Sequence, residues 1–578
     1  MLIVSGTVLV LLCWAVAAVA VVSLGLLPAL ATDRRGARPA VMGSALWWGL
    51  AILAVAVSVI GVAVPLRSTG AALAVLALIL LLGVPGWLLL RRRNPGTIRM
   101  AGSWWWVVGV LAASQVYLAI AALGPVTGYD TGLYHLGAIA YAGDFATMPG
   151  LSNLYGPLGY ATAQFPLAAV LGNSPLGSEG FRLLNGLLMG LAALDLVLRL
   201  RCPPTVGRYV LLVGITAAWL PMLAFSDFWV TSPSQDSAVL VLTVVATAYL
   251  ADAVAGGRHW VRDASTAGAL AVLLVSIRST MIVFGLVALG VLVLVAVRRR
   301  RIAPRARLIV SASLVAGLAL LATFATLLRD YLLSGWVQFP LSVHAFDVPW
   351  LASDPTPLRE ATLGFHRNRA DIWHSVTGWD WVGPWFVRLP SQWESFELAA
   401  MLLAVVVLVW LAARAAHGCF RWRLLALTML PSAVASAVWW LATPPAFRFA
   451  WGPLFTLFAI PIGWSLWQLA RRHDSAGRLW RQLAVAGLGV PIIAVLSVCI
   501  TIRFDWNSID VDRQGWGVPF AVAAIPKAEV ERRVLPDGLM IGVPVVADQC
   551  WATYPMCTPQ PVESLRMRGG TLAEGFLP

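Results

Sequence analysis

Lysine is almost missing from this sequence. Of 41 basic residues 40 are arginine, and Lys527 stands alone. Arginine without lysine, beside abundant alanine, valine and leucine, reads as the product of a high-GC bacterial genome. Charge of either sign is also scarce: 12% of the 578 residues are charged and 59% are hydrophobic, with a mean hydropathy of +0.80. A soluble domain of that balance could not solvate its surface, whereas lipid covers the apolar faces of a protein that crosses the bilayer many times. Metal-type cysteine spacing is absent, since the six cysteines contain no C-x-x-C. There is no Walker loop, no G-x-G-x-x-G after a strand, no H-E-x-x-H, no G-x-S-x-G, no heptad and no repeat of fixed period. The classes those motifs mark have nothing here to rest on. The net charge of +14 would suggest nucleic acid in a soluble chain. Here the arginines fall in short runs between apolar stretches, as loop charges should, and no nucleic-acid partner is expected.

What is abundant is long apolar sequence. Fourteen crossings are expected, near 4–31, 44–65, 71–90, 103–124, 181–200, 207–225, 236–255, 265–277, 280–297, 308–328, 396–415, 423–442, 453–470 and 482–501. The loops at 33–38, 91–99, 199–208, 258–263, 298–307, 414–423 and 471–481 hold 25 arginines, against 15 plus Lys527 in the far longer opposite set. The first set is therefore expected in the cytoplasm. No basic residue precedes Arg34, so the N-terminus is expected outside and the first segment is read as an anchor, not a cleaved leader. The fold class is thus an all-α polytopic membrane protein of about 14 transmembrane helices over 1–501, with long outer loops at 125–180 and 329–395. A small extracytoplasmic α/β domain is expected at 502–578, with short strands such as "LMIGVPVVA".

The outer loops carry the polar residues of interest. Trp336, Trp350, Trp373, Trp379, Trp381, Trp385 and Trp393 suit an interfacial belt, where an indole has one apolar and one wet side. Segment 131–172 reads as a helix on the membrane surface, with Leu133, Leu136, Ile139 and Ala140 at helical spacing, then a turn-rich loop and a second amphipathic piece. Between Arg262 and Arg298 there is too little chain for two full crossings, so a shallow or broken hairpin is expected with its turn at "SIRST". That puts Arg278 at membrane depth, where a charge is expensive and usually functional.

Asp130 and His135 follow the fourth span. Asp130 either caps a helix starting at 131, with His135 a turn on, or is a carboxylate at the mouth of a cavity able to act as general base. Asp227 and Asp236 bracket "FWVTSPSQ"; Asp236 reads as the N-cap or first turn of a span. Asp130, Asp227 and Asp236 together could hold a divalent cation through hard oxygen ligands. Arg278, and Arg448 in "TPPAFRFAWGP", either snorkel or grip a lipid phosphate, which guanidinium pairs bidentately. Cys550 and Cys557 lie close together in "CWATYPMC", and an oxidising compartment would let them form a disulfide.

"YDTGLYHLGAIAY", "GLSNLYGPLGY", "SIRST", "FRFAWG" and "DQCWATYPMCTP" resemble a family of bacterial multi-span proteins placed with the GT-C superfamily of polytopic glycosyltransferases. The resemblance implies a sugar donor on polyprenyl phosphate, a membrane-embedded site, and a cell-envelope glycan or glycolipid as acceptor. It implies that Asp130 matches the catalytic base and that Arg278 and Arg448 sit where donor phosphate binds; His135, as a second catalytic residue, is expected to orient Asp130 or touch the phosphate. With the high-GC composition, it suggests arabinofuranosyl- and mannosyltransferases of the actinobacterial envelope as the nearest functional relatives, although no residue reads out the sugar. In that superfamily the base usually follows the first span; here Asp130 follows the fourth, so either three spans were added or the base lies elsewhere. Three other readings stand beside this one: a transporter or flippase of lipid-linked glycans, an inert glycan-binding subunit, and a polyprenyl-diphosphate polymerase or ligase using Arg359, His366, Arg367, Arg369 and His374.

Overall fold

The computed structural model describes residues 1–33, 36–93, 104–301, 304–367, 378–415, 420–443, 445–472 and 511–578. The expected span at 482–501, and Trp373, Arg369 and His374, lie outside these residues. Nineteen helices occur among the described residues: α1 (Leu2–Thr32), α2 (Arg38–Ala63), α3 (Thr69–Arg91), α4 (Trp105–Ala121), α5 (Leu136–Asp144), α6 (Leu151–Leu154), α7 (Gln164–Val170), α8 (Leu183–Leu200), α9 (Val206–Ala224), α10 (Ser226–Trp229), α11 (Gln235–Ala255), α12 (Trp260–Ile277), α13 (Ile282–Arg299), α14 (Arg305–Ser334), α15 (Thr356–Arg367), α16 (Val382–Arg388), α17 (Trp393–Ala415), α18 (Trp422–Ala442) and α19 (Phe447–Arg472). Twelve are long and apolar enough to cross a membrane, counting the 3₁₀ turns that extend two of them, and α4 is a shorter apolar helix. The other thirteen expected runs are therefore all helical.

Burial ranks these helices. α9, α11 and α12 are almost wholly enclosed, while α3 and α17 present most of their surface outward. The outward residues are apolar, among them Leu76, Leu80 and Leu81 on α3 and Leu402, Leu403 and Val406 on α17. Lipid can cover such faces and water cannot. The first two helices pack backbone to backbone. A Cβ on Gly25 would lie 1.9 Å from the Ala45 carbonyl oxygen, and one on Gly49 would lie 1.7 Å from that of Val21. Small residues at a crossing permit this approach.

Several helix ends differ from expectation by up to six residues, and in two places the reason is that charged residues were counted as helix ends. α12 and α13 run through Arg262 and Arg298, so each has 18 residues and spans about 27 Å at 1.5 Å per residue. The hairpin is broken at Arg278, whose backbone is extended, but it is not shallow. α14 continues six residues past its expected end, through buried Arg329 and Asp330, and stops at Gly335 with φ +75°.

Residues 511–578 form antiparallel hairpins: β3 (Val511–Gly515) with β4 (Val518–Val522), β5 (Val530–Val534) with β6 (Met540–Pro544), and β7 (Arg566–Met567) with β8 (Phe576–Leu577). A further small pair, β1 (Trp336–Val337) with β2 (His344–Ala345), precedes them in the chain. The strands expected from "LMIGVPVVA" are present as β6; the helical share of the expected α/β tail is one 3₁₀ turn, Leu572–Glu574, among the described residues. Phe520, Val522, Leu535, Ile541, Leu565 and Phe576 of the tail belong to the same apolar core as the helices. Segment 131–172 sits beneath this tail. Leu136, Ile139, Tyr141, Leu151 and Leu154 are buried by protein, so the segment is not a helix laid open on a membrane surface.

The far ends of the helices are tied by ions. Asp33 accepts from His259 Nδ1 at 2.9 Å and Arg262 at 3.1 Å, and Arg262 also reaches Asp263 at 2.6 Å. Arg199 bridges Asp195 at 3.1 Å and Asp252 at 2.7 Å.

Candidate active site

Four separate elements meet near the tail. A one-turn π-helix at Thr131–His135 follows Asp130 and leads into α5. α11 begins at a cap in which the Ser234 hydroxyl accepts from Asp236 N–H at 3.2 Å. The break between α12 and α13 presents Arg278, and the first turn of α19 presents Arg448. Single-turn π-helices mark functional positions often, because the widened turn re-aims side chains.

Asp130 does not cap the following helix; its side chain makes no capping bond. Its Oδ2 instead accepts from Arg448 Nη1 at 2.8 Å. Asp236, in the first turn of α11, forms an ion pair with Arg278. The two pairs share one platform: the Arg278 and Arg448 guanidiniums lie 5.3 and 4.9 Å from the centroid of the Phe449 ring. His366 meets the same ring edge-on at 5.2 Å, and Arg388 Nη2 donates to the His366 carbonyl at 3.4 Å. His135 is buried, 3.4 Å from the Thr131 hydroxyl, which bonds Ser232 at 2.5 Å. Tyr134 stacks edge-on with His135 and Tyr160.

Electrostatics separates the two titratable groups of this turn. Burial pushes the Asp130 carboxyl up, but Arg448 foremost, with His135 and Arg278, outweighs it and leaves Asp130 below the usual carboxylate range. Burial drives the His135 imidazole down to about 4, against the pull of Asp130 and Asp236. At neutral pH the pair is therefore a carboxylate and a neutral imidazole. An ionised carboxylate beside two guanidiniums is equipped to take a proton from a hydroxyl while cations receive a phosphate.

Of the residues singled out in the sequence, Asp130, His135, Asp236, Arg278 and Arg448 are brought together. Asp227 lies in α10, where its carboxylate accepts from the Thr127 hydroxyl at 3.2 Å and its carbonyl from Thr231 at 2.5 Å. Among the described residues no three His, Cys, Asp or Glu side chains converge as metal ligands. The expected disulfide is formed between Cys550 and Cys557, with Cα atoms 5.8 Å apart. Phe449 was not anticipated, although it lies inside "FRFAWG"; nothing in the sequence marks one phenylalanine as the floor for two arginines. Nor were Asp548, Gln549 and Trp551, which reach the Asp130 turn from the tail: the Tyr129 hydroxyl bonds Asp548, Gln549 Nε2 donates to the Tyr129 carbonyl at 2.8 Å, and Trp551 N–H donates to the Gly132 carbonyl at 2.8 Å.

Comparison with known proteins gives three findings. The family model described as Domain of unknown function (DUF8201) matches residues 8–455, a range that includes all five clustered residues and stops short of the tail. No curated protein matches the chain. Among solved structures, the cryo-EM structure of arabinosyltransferase EmbB from Mycobacterium smegmatis is similar at 18% identity and a TM-score of 0.33, over 75% of this chain and 45% of that one. The chain thus spans less than half the length of that protein, and a score so low carries no conclusion about function.

Proposed function

The chain belongs to the DUF8201 family, and from that premise we propose that it is an integral membrane glycosyltransferase of GT-C type, moving a sugar from a polyprenyl-phosphate donor to a hydroxyl of an envelope glycan or glycolipid. The observation that carries this reading is the meeting of Asp130–Arg448 and Asp236–Arg278 over Phe449. The donor phosphate enters between the two guanidiniums. Arg448 then exchanges its carboxylate partner for phosphate oxygens, which raises the basicity of Asp130 at the moment a base is needed. Asp130 takes the proton of the acceptor hydroxyl, the hydroxyl oxygen bonds the anomeric carbon, and the bond from that carbon to the phosphate oxygen breaks. Polyprenyl phosphate leaves with the bonding electrons, held by Arg278 and Arg448, and one displacement inverts the configuration. Asp236 keeps Arg278 in place, and neutral His135 supports the turn behind Asp130. The arginine distribution supports a location of this site and the tail on the extracytoplasmic side of a bacterial plasma membrane. The high-GC composition, together with the GT-C resemblance, favours arabinofuranose or mannose as the sugar, and no residue of the site reads it out.

His366 against Phe449 favours a second reading, a polymerase or ligase with a polyprenyl-diphosphate donor, because it adds a group beside the two arginines. One assay separates the possibilities: transfer by the full chain in nanodiscs from synthetic polyprenyl-phosphate and polyprenyl-diphosphate sugars. With the monophosphate donor, Asp130→Asn is expected to lower kcat about a hundredfold or more. Arg278→Ala is expected to cost a few kcal/mol in kcat/KM, roughly 2–4. Full activity in Asp130→Asn would remove the base assignment. Transfer from the diphosphate alone would favour the second reading, and solute flux with no transfer would favour a transporter.

A further inference from the structure

Asp130 is flanked on both sides by residues that the tail grips. Before it, Tyr129 offers its hydroxyl to Asp548 and its carbonyl to Gln549 Nε2 at 2.8 Å. After it, the Gly132 carbonyl accepts from Trp551 N–H at 2.8 Å. The Trp551 indole lies flat on Gly132: a Cβ there would stand 2.6 Å from two of its ring carbons and 2.9 Å from a third. Further along, the Tyr141 hydroxyl accepts from Met556 N–H at 3.1 Å, and the Tyr141 and Tyr554 rings stack edge-on at 4.8 Å. Asp548 to Met556 lie in or beside the loop that Cys550–Cys557 closes. That loop is anchored in turn, because Gly542 of β6 donates to the Met556 carbonyl at 2.8 Å and Thr558 N–H donates to the Gly542 carbonyl at 3.0 Å.

The local chemistry explains why an external grip matters. A π-turn is a rare, irregular piece of helix that departs from the regular α-helical hydrogen-bond ladder. A small cavity with room for about one water, lined by Leu133, Tyr134, Tyr141 and Tyr155 with Trp551 and Tyr554, lies between the turn and the loop. Packing around the turn is not complete, and the named hydrogen bonds and the indole hold it in place. Asp130 must keep its carboxylate within reach of a reacting hydroxyl, and a base displaced by about 1 Å loses roughly a hundredfold in rate.

We infer that the disulfide-closed loop 550–557 is a clamp that sets the conformation of the Asp130 turn, with Trp551 as its positioning residue. The clamp rests on the assignment of Asp130 in the proposed function for its role in the reaction, and on geometry alone for its existence. Trp551 touches Gly132, not the reacting atoms, so it acts through the turn. Glycine is required at 132 because any side chain there displaces the indole.

The test uses the full chain in nanodiscs, with amide hydrogen exchange and transfer read in parallel. In Trp551→Ala, and in the wild type after reduction of Cys550–Cys557, amides of 129–136 are expected to exchange about tenfold faster or more, with those of α9 and α11 unchanged. Trp551→Phe is expected to restore most of the protection. Gly132→Ala alone should also speed exchange, and adding Trp551→Ala to it should cost nothing further, since both changes break one contact. In transfer, Trp551→Ala should lower kcat roughly 10- to 100-fold with donor KM within about twofold, because donor binding lies with the arginines. Unchanged exchange at 129–136 would overturn the clamp. Faster exchange with unchanged kcat would overturn the positioning role. A wild-type chain that transfers nothing would count against the proposed function, while the exchange results would still decide the clamp.

Discussion

Asp195 and Asp130 are both aspartates paired with an arginine, at opposite ends of one helical bundle, and their surroundings differ. Asp195 has no solvent exposure and accepts from three donors: Arg199 Nε at 3.1 Å, Trp47 Nε1 at 2.9 Å and the Tyr249 hydroxyl at 3.2 Å. Its arginine is 11% exposed and also holds Asp252, which accepts in addition from Thr205 and from Gly207 N–H. Asp130 has Arg448 at 2.8 Å, and the two side chains are 25% and 28% exposed. A buried ion pair surrounded by further hydrogen bonds holds elements in register and is costly to disturb. A half-open pair with one strong partner can trade that partner for a ligand at small cost. The same residue types therefore build a lock at one end and an exchangeable contact at the other.

The comparison breaks most visibly at the locked end. Asp195→Ala leaves Trp47, Tyr249 and Arg199 short of an acceptor, and is expected to cost about 3–5 kcal/mol of stability. Unfolding in detergent measures it, and the fraction that stays folded should transfer at the wild-type rate. The matched change at the open end, Asp130→Asn, should shift unfolding by less than about 1 kcal/mol. Equal losses at the two ends would erase the distinction.

A pH series sharpens the open end. His135 is buried with its imidazole held down to about 4, facing Asp130, Asp236, Arg278 and Arg448, whereas an unfolded histidine titrates near 6.5. Between these values the unfolded chain binds a proton that the folded chain refuses. The contribution of His135 is thus intact above about 6.5 and is lost as pH falls toward 4. His135→Asn is expected to flatten the difference in stability between pH 7 and pH 5 by roughly 1–2 kcal/mol, as this linkage requires. Identical wild-type and variant slopes would mean that His135 is not held neutral.

The smallest effect belongs to an ion pair that is neither locked nor functional. Arg533 and Glu563 in the tail are 49% and 68% exposed. Arg533→Ala is expected to change stability by no more than about 0.5 kcal/mol and to leave transfer unaltered. A larger loss would show that exposure does not rank these pairs.

Much of the bundle was legible in the sequence because hydropathy reports lipid contact directly. It failed where protein replaces lipid. α14 runs on through Arg329 and Asp330 because both side chains turn inward, and a count of charges reads them as a boundary. Arg262 hid the first turn of α12, and Arg298 the end of α13, in the same way. In the site, Asp130, Asp236, Arg278 and Arg448 stood out because charge is rare near apolar runs. Which carboxylate meets which guanidinium depends on the packing of α11, α12 and α19, which no spacing encodes. Asp227 had the same sequence credentials as Asp236 and is engaged by Thr127 and Thr231. The grip of Trp551 on Gly132 joins residues more than four hundred positions apart, and only the fold brings them together.

One consequence of the shared core concerns time. The Ser5 hydroxyl near the start of α1 donates to the carbonyl of Pro519 in β4 at 2.5 Å, across 514 positions of chain. A ribosome adds those positions one by one, so α1 is in place long before the hairpin that covers its end exists. Contacts of such separation form late and slowly. A chain halted before β3 leaves both α1 and the Asp130 turn without their cover, since the β3–β4 hairpin closes the first and the loop 550–557, still further along, grips the second. Assembly therefore leaves the Asp130 turn without its final surroundings until translation has delivered the loop that grips it.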